Sequence, residues 1–313
     1  MPATKPLQVA CFPDKGLGAR HGGGLHEKSR TGTYPFSDVA RSPVPDDKVA
    51  WGVPFSGYNP PDYCAPVCTK EESVWSDQNS SKGILHNAGC TPADNVDRIS
   101  HVATYTVDPA TNLGFNPCGR TGIKGQGVLG RFGPNHAADP VVTRWKRNKD
   151  YTIVQDETGK PVLEWISIQR ADTGAWAIPG GFVDPGEAIS LTLKREFGEE
   201  ALNTLLMTTA EKEEALAGIQ ELWDQGVMMY KGYMDDSRNT DNAWIETICY
   251  NFHDKSRCTD RLPLKAGDDA KSVRWCAYVA GDPGGLKLHA GHGTLIEQTY
   301  LHVLDSSPPD SET

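Results

Sequence analysis

Residues 180–201 read GGFVDPGEAISLTLKREFGEEA, and the rest of the chain is best read outward from them. Val183-Asp184-Pro185-Gly186 is a turn signal, because proline presets φ and glycine tolerates conformations closed to other residues. Beyond it Ile189, Leu193 and Phe197 recur four apart, the spacing of a buried helical stripe, which predicts a helix over 189–201. Glu196 and Glu200 are four apart and Glu199 is three from Glu196, so all three project from adjacent rows of one helical surface. Like charges so placed cost a helix roughly 0.2–0.5 kcal/mol per pair. A hard cation with oxygen ligands reverses the sign, and Mg²⁺ typically takes one or two carboxylates while keeping waters and phosphates in its octahedron. Arg195 can hold a carboxylate by a bidentate bond, and Glu187, beside the turn, can join the same network. Spacing alone leaves two readings open: a metal site, or a solvated acidic face.

Around this segment the chain changes character. The first ~100 residues are rich in Pro, Gly, Asn, Asp and Ser with only short apolar pieces, which predicts an irregular lobe. The stretch from Asn116 to Lys146 is dense in Gly and Arg. From about Tyr151 the pattern becomes regular: strands at 162–168, 227–233, 245–252 and 273–279, and a closing helix at 295–304. Thr208 with Glu211 is a capping box, opening a helix to about Trp223. Strands interleaved with helices predict a mixed sheet between helices, an α/β fold.

Bulk properties remove several functions. The chain has 313 residues, 38% of them hydrophobic, enough for one large domain or two ordinary ones. No apolar run approaches the ~20 residues that span a bilayer, so no membrane segment is expected. A formal net charge of −10 argues against a nucleic-acid partner, which needs a basic face, but does not exclude a phosphorylated small molecule held through a metal. The eight cysteines form no zinc pattern and are sparse for a secreted scaffold, so reduced thiols in an intracellular protein, cytoplasmic or mitochondrial, are expected. The opening MPATKPLQVACFPDKGLGAR holds no apolar signal core and is poor in arginine and serine for a mitochondrial leader.

The carboxylate segment resembles the Nudix hydrolase pattern: Gly, five residues, Glu, seven residues, Arg-Glu, an apolar residue, any residue, Glu-Glu. The matching positions are Gly181, Glu187, Arg195, Glu196, Phe197, Glu199 and Glu200. The chain departs only after the box, where Leu202 and Asn203 stand in place of Gly and an apolar residue. The resemblance implies an α/β/α sandwich catalytic domain over 141–313, behind an irregular N-terminal substrate-binding or cap lobe over 1–140. It implies Glu196, Glu199, Glu200 and the Gly181 carbonyl as metal ligands, and Glu187 and Arg195 among the catalytic residues. It also implies Mg²⁺ as the cofactor, with Mn²⁺ as an alternative. Metal would polarise phosphoryl oxygens and supply a hydroxide nucleophile. The general base is left open among Glu187, Glu199 and Glu246.

The flanks narrow the substrate. YP at 34–35, VPDDKVAW (44–51), GRTG (119–122), FGPNHAADPVVTRWKR (132–147), YKGYMDDSRNTDNAWIET (230–247) and GDDAKSVRW (267–275) resemble ADP-ribose pyrophosphatases of mammalian type. They also resemble the ADP-ribose-sensing domain of melastatin-type cation channels. This resemblance implies ADP-ribose as the small-molecule partner, bound between lobes by His136, Asp236, Arg238, Leu288 and His292, with AMP and ribose 5-phosphate as products and a monomeric enzyme. At His289 those relatives often carry an aromatic residue. Two alternatives stay open: a sensing module that binds without turnover, and a Nudix enzyme for another nucleoside diphosphate derivative.

Other features take blander readings. Gly125 to Gly130 fits GxGxxG, but nothing before it reads as a strand and Gly133-Pro134 follows, so a packed loop between lobes is expected rather than a dinucleotide site. Trp165, Trp176, Trp244 and Trp275 are expected in cores. Arg120 and Arg144 are candidates for phosphate or interlobe contacts.

Overall fold

The computed structural model describes residues 26–92, 95–217, 219–268, 270–279, 286–289 and 291–308. The opening twenty-five residues, read above for targeting character, and the last five lie outside this range. In chain order the strands are β1 (Asp62–Cys64), β2 (Val107–Asp108), β3 (Leu113–Gly114), β4 (Lys124–Gly127), β5 (Gly133–Trp145), β6 (Leu163–Arg170), β7 (Trp176–Ala177), β8 (Gly181–Phe182), β9 (Val227–Tyr233), β10 (Ala243–His253) and β11 (Ala270–Tyr278). The helices are α1 (Ile189–Leu202), α2 (Thr209–Ala217), α3 (Gln220–Trp223) and α4 (His292–Ser306).

The chain divides into two compact units. One is built from the chain up to His136 together with Lys231–Thr247; the other from Ala137–Tyr230 and the chain from Ile248 onward. A single boundary at residue 140 therefore does not describe the division. Strand β9 leaves the second unit and β10 returns to it, so the segment between them belongs to the first.

In the second unit the sheet runs β11-β6-β5-β10-β9, with β7 on β6 and β8 on β5. Pairing is antiparallel from β11 to β6 and from β6 to β5, with Trp275 opposite Ile166 and Thr143 opposite Trp165. Because side chains alternate along a strand, this register sorts the two faces. Ala138, Val142 and Ile166 face Leu193, Phe197, Ala201 and Leu202 of α1 and Ile219, Leu222 and Trp223 beside or within α3. On the other face Trp145 and Tyr278 meet Tyr300 of α4, with ring centroids 6.3 and 5.2 Å apart, and Trp145 Nε1 donates to the Ser307 carbonyl at 2.9 Å. The unit is thus a mixed sheet with helices on both faces.

Three predicted elements differ from expectation. The capping box forms, with Thr208 Oγ1 and the Glu211 amide 3.3 Å apart and Thr208 N–H on Glu211 Oε2 at 2.8 Å, but α2 ends at Ala217 and a separate short α3 follows. β5 lies in the Gly- and Arg-dense stretch where no strand was expected. It carries Pro140 between residues 137–138, which pair with β8, and 143–145, which pair with β6, so the missing N–H spares both ladders. Lys124 and the first three residues of the GxGxxG run, 125–127, form β4, parallel to β1, rather than a loop. Gly125 at φ +93° leaves no room for a Cβ, which would sit 2.6 Å from the Tyr63 carbonyl.

The first unit is irregular and tied by buried polar bonds. Arg120 donates to the carbonyls of Lys48 and Ala50, both at 2.7 Å, and lies over the Trp51 ring at 4.9 Å. Arg144, in the second unit, bonds Glu164 and Asp260 at 3.0 Å each and stacks on Trp275 at 3.9 Å. Both arginines considered as phosphate partners are therefore committed to scaffold bonds. Trp165 and Trp244 are fully buried, while Trp176 and Trp275 are half-buried beneath Arg274 and Arg144.

Candidate active site

The segment 180–201 folds as a strand, a turn and a helix. Gly186 takes φ +78°, and the Glu187 N–H closes the turn onto the Asp184 carbonyl at 2.9 Å. Helix α1 follows, with Leu193 and Phe197 in the core and the carboxylates on the opposite rows. The helix ends at Asn203, whose φ of 57° is left-handed and whose N–H bonds the Gly198 carbonyl. Asn203, which stands where the family pattern has an apolar residue, thus supplies the left-handed terminus. Asparagine tolerates that conformation better than other non-glycine residues. We expect Asn203→Val to cost roughly 1–2 kcal/mol and Asn203→Gly to be near neutral, as urea unfolding will show. The last carbonyls of α1 are satisfied from outside: Lys265 N–H bonds Ala201 O at 2.9 Å and Gly267 N–H bonds Glu200 O at 3.3 Å.

Arg195 organises the acidic rows. It forks onto Glu187 through Nε at 3.0 Å and Nη2 at 2.9 Å, and its Nη1 reaches Glu196 at 2.7 Å and Glu199 at 3.3 Å. Nη2 also donates to the Phe182 carbonyl at 3.0 Å, fastening the helix to β8. The hydrogen bonds from Arg195, then those from Thr192 and the Asp184 amide, hold the Glu187 carboxyl below its usual range despite partial burial. The same pairing raises the Arg195 guanidinium further above its usual value. Such a bidentate pair is geometrically specific as well as strong.

Glu196 and Glu200 are buried, at 7% and 3% exposure, where unpaired carboxylates are costly. Burial pushes the Glu196 carboxyl up to about 7, with Arg195 opposing and Glu199 and Asp268 adding repulsion. Glu200 accepts the Gly180 N–H at 2.9 Å. Gly181 lies against Glu196 so closely that a Cβ there would stand 2.6 Å from the carboxylate. Arg195 thus bonds three carboxylates, Glu196 among them buried, and the buried Glu200 adds a fourth on the same helix. A divalent cation fits this excess charge and this oxygen donor set. The ligand set that the family resemblance implies, Glu196, Glu199, Glu200 and the Gly181 carbonyl, would hold it. We expect Gly181→Ala to displace the Glu196 carboxylate and lower activity at least about tenfold, with a higher metal requirement.

Two residues at this site were not singled out in the sequence. Asp139 on β5 is buried, and a Cβ on Gly180 would collide with its carboxylate. Asp268 follows the Gly267 cap and acts electrostatically on Glu196. GDDA had been quoted only as part of a similar run; nothing local marks Asp139.

The expected substrate residues belong to both units. In the first unit Arg238 forks onto Asp236, with Nε and Nη2 each at 2.9 Å, so its planar face is spent on a neighbour. His136 stacks on His101 with centroids 4.3 Å apart. In the second unit Leu288 bridges Trp176, and the Ile178 N–H donates to His292 Nδ1 at 2.9 Å, fixing that ring as part of the scaffold. Glu246, a candidate base, lies in the first unit and is fully buried.

Residues 44–133 match the model for a NUDT9-like, N-terminal domain, and residues 145–290 match the NUDIX domain. The chain is 46% identical over 275 residues to a mitochondrial ADP-ribose pyrophosphatase of Rattus norvegicus, covering 87% of this chain and 77% of the relative. It is 41% identical over 283 residues to a nudix hydrolase, number 6, of Caenorhabditis elegans, covering 89% and 99%. It is 47% identical over 279 residues to a transient receptor potential cation channel subfamily M member-like 2 of Nematostella vectensis, but spans only 17% of that channel's length. Members of the family generally need a divalent metal. Among the described residues no helix is long and apolar enough to cross a membrane. With box, fold and near-full-length relatives in agreement, the chain belongs to the Nudix hydrolase family.

Proposed function

We propose that this protein hydrolyses ADP-ribose to AMP and ribose 5-phosphate, using Mg²⁺, for which Mn²⁺ can substitute. The observation that carries the reading is the buried Glu196 carboxylate pressed against Gly181 and held at Arg195, in a chain close to a named ADP-ribose pyrophosphatase. When bound, the metal supplies Lewis-acid polarisation of the pyrophosphate and a more acidic water. The protein groups do the rest. Arg195 keeps Glu187, Glu196 and Glu199 in register, and the Gly180 N–H orients Glu200. Glu187 is a poor base, since both its oxygens are engaged by Arg195, and Glu246 already accepts three hydrogen bonds. Glu199, with one oxygen on Arg195 at 3.3 Å, is the best placed of the three candidates to take the water's proton. Preorganisation of this kind is where phosphoryl-transfer enzymes obtain most of their rate.

Leu288, His136 and Asp236 are proposed substrate contacts; Arg238 and His292 act by holding Asp236 and the Ile178 backbone. The small-molecule reading extends to a monomer without a nucleic-acid partner, supported by the net charge of −10. The rat relative's name supports a mitochondrial setting, with cytoplasm as the other compartment. Turnover is favoured over pure sensing by the intact run Arg195-Glu196-Phe197-Gly198-Glu199-Glu200. A panel of ADP-ribose, NADH and ADP-glucose at equal concentration with Mg²⁺ tests the assignment. ADP-ribose should give the highest kcat/KM, and stoichiometric chelator should abolish all turnover. A higher kcat/KM for NADH or ADP-glucose, or binding of ADP-ribose without turnover, would reject it.

A further inference from the structure

The first unit holds a second group of ligand-type side chains that the carboxylate helix does not use. His101 lies in the segment after Arg98, His136 on β5 and Glu246 on β10, and one potential ligand atom from each falls within 4.8 Å of the others. His101 Nε2 and both ring nitrogens of His136 are buried without a well-formed hydrogen bond, although the Ile99 backbone lies close to the His136 ring. Leaving buried polar groups poorly matched is costly, so such nitrogens gathered in one place require a reason.

The chemistry around them is that of a nitrogen-and-oxygen metal site. Burial, then the charge of neighbouring His136 and Lys231, pushes the His101 imidazole down to about 3. Burial likewise lowers His136, against the pull of Glu246, Asp97 and the Ile99 backbone and with Lys231 assisting. Both rings are therefore neutral at physiological pH and keep a lone pair to donate. Glu246 is fully buried and firmly oriented. Its Oε1 accepts from Ser100 Oγ at 2.6 Å and Trp244 Nε1 at 2.7 Å, and its Oε2 accepts the His101 N–H. Two lone pairs on Oε1 are thus used, and one on Oε2 is left. A ligand carboxylate so hydrogen-bonded is the usual support for a metal site.

We propose that His101, His136 and Glu246 bind one divalent transition metal of the zinc type, distinct from the metal of the carboxylate helix. Two imidazoles and one carboxylate select zinc-like ions over Mg²⁺, whereas the all-oxygen set on α1 has the reverse preference. Zinc–ligand bonds of about 2.0–2.1 Å in a tetrahedron place donors roughly 3.3 Å apart, so side-chain rotation of about 1.5 Å closes the cluster. The ion ties the His101 segment to β5 and β10 within the first unit. The inference does not depend on which substrate the enzyme takes.

The test uses the full-length protein, stripped with chelator and returned to excess Mg²⁺ so that the carboxylate helix is saturated. Titration with Co²⁺ should give visible d–d absorption that saturates at one equivalent and is abolished by stoichiometric Zn²⁺. Zn²⁺ should raise Tm by about 4 °C or more. His101→Gln and His136→Gln, each checked for native circular dichroism, should lose both the absorption and the Tm shift, while Glu196→Gln keeps them. No absorption in the native protein, or absorption that survives both histidine substitutions, overturns the proposal. Loss of the signal in Glu196→Gln alone overturns it as well, since that would place the ion on α1.

Discussion

Glu196→Gln should lower turnover of ADP-ribose by on the order of 10³-fold or more while Tm changes by no more than a few degrees. The two halves of this expectation have separate causes. Glutamine has the shape of glutamate, so packing beside Gly181 and the contact toward Arg195 Nη1 at 2.7 Å can be retained. It removes a charge that is buried to 7% exposure and whose carboxyl burial pushes up to about 7. Removing a costly buried charge does not destabilise the metal-free fold. What disappears is the anionic oxygen that a divalent cation requires. Steady-state kinetics with a calorimetric melt decide the matter. A near-normal rate would mean that the acidic rows of α1 are only a solvated face.

Arg98→Ala should be the most destabilising of the substitutions considered, costing about 3–5 kcal/mol. Arg98 is 1% exposed and lies in the first unit. Its Nη1 bonds Asp77 Oδ2 at 3.1 Å and the Phe132 carbonyl at 2.8 Å, and its Nη2 bonds Asp77 Oδ1 at 2.9 Å. Truncation leaves the buried Asp77 carboxylate sharing only Arg131 at 3.0 Å and the Phe132 N–H at 2.7 Å. A loss of that size is a large fraction of the stability of an ordinary domain. Limited proteolysis should show cleavage within the first unit at temperatures where the native protein resists. Native resistance in Arg98→Ala would show that Arg131 alone can neutralise Asp77.

The carboxylate helix was legible because its order is local. A turn signal, an apolar stripe every four residues and three glutamates on adjacent rows all lie within one stretch, and the structure realises them as β8, the turn and α1. Strand β5 was hidden for the opposite reason. Most of its residues are buried on both sides, so no polar alternation marks it, and its prolines and glycine resemble loop composition. The bonds of the arginines were not legible because sequence shows a charge but not its partner. Arg120 satisfies backbone carbonyls, Arg144 pairs with acids, and Arg238 is held by Asp236 two residues away. Asp139 and the trio His101, His136 and Glu246 could not be read together, since β-strand pairing and chain reversal bring them to their neighbours across long separations. The return of Lys231–Thr247 to the first unit has the same origin.

The most direct test of the account is the product of the reaction itself. Purified protein incubated with ADP-ribose and Mg²⁺ should release AMP and ribose 5-phosphate in equal amounts. Release should stop with chelator, return with Mg²⁺ and be nearly absent in Glu196→Gln. No AMP from folded, Mg²⁺-loaded protein, or equal AMP from Glu196→Gln, would contradict the assignment of the helix at Arg195 to Glu200 as a metal-dependent hydrolytic centre.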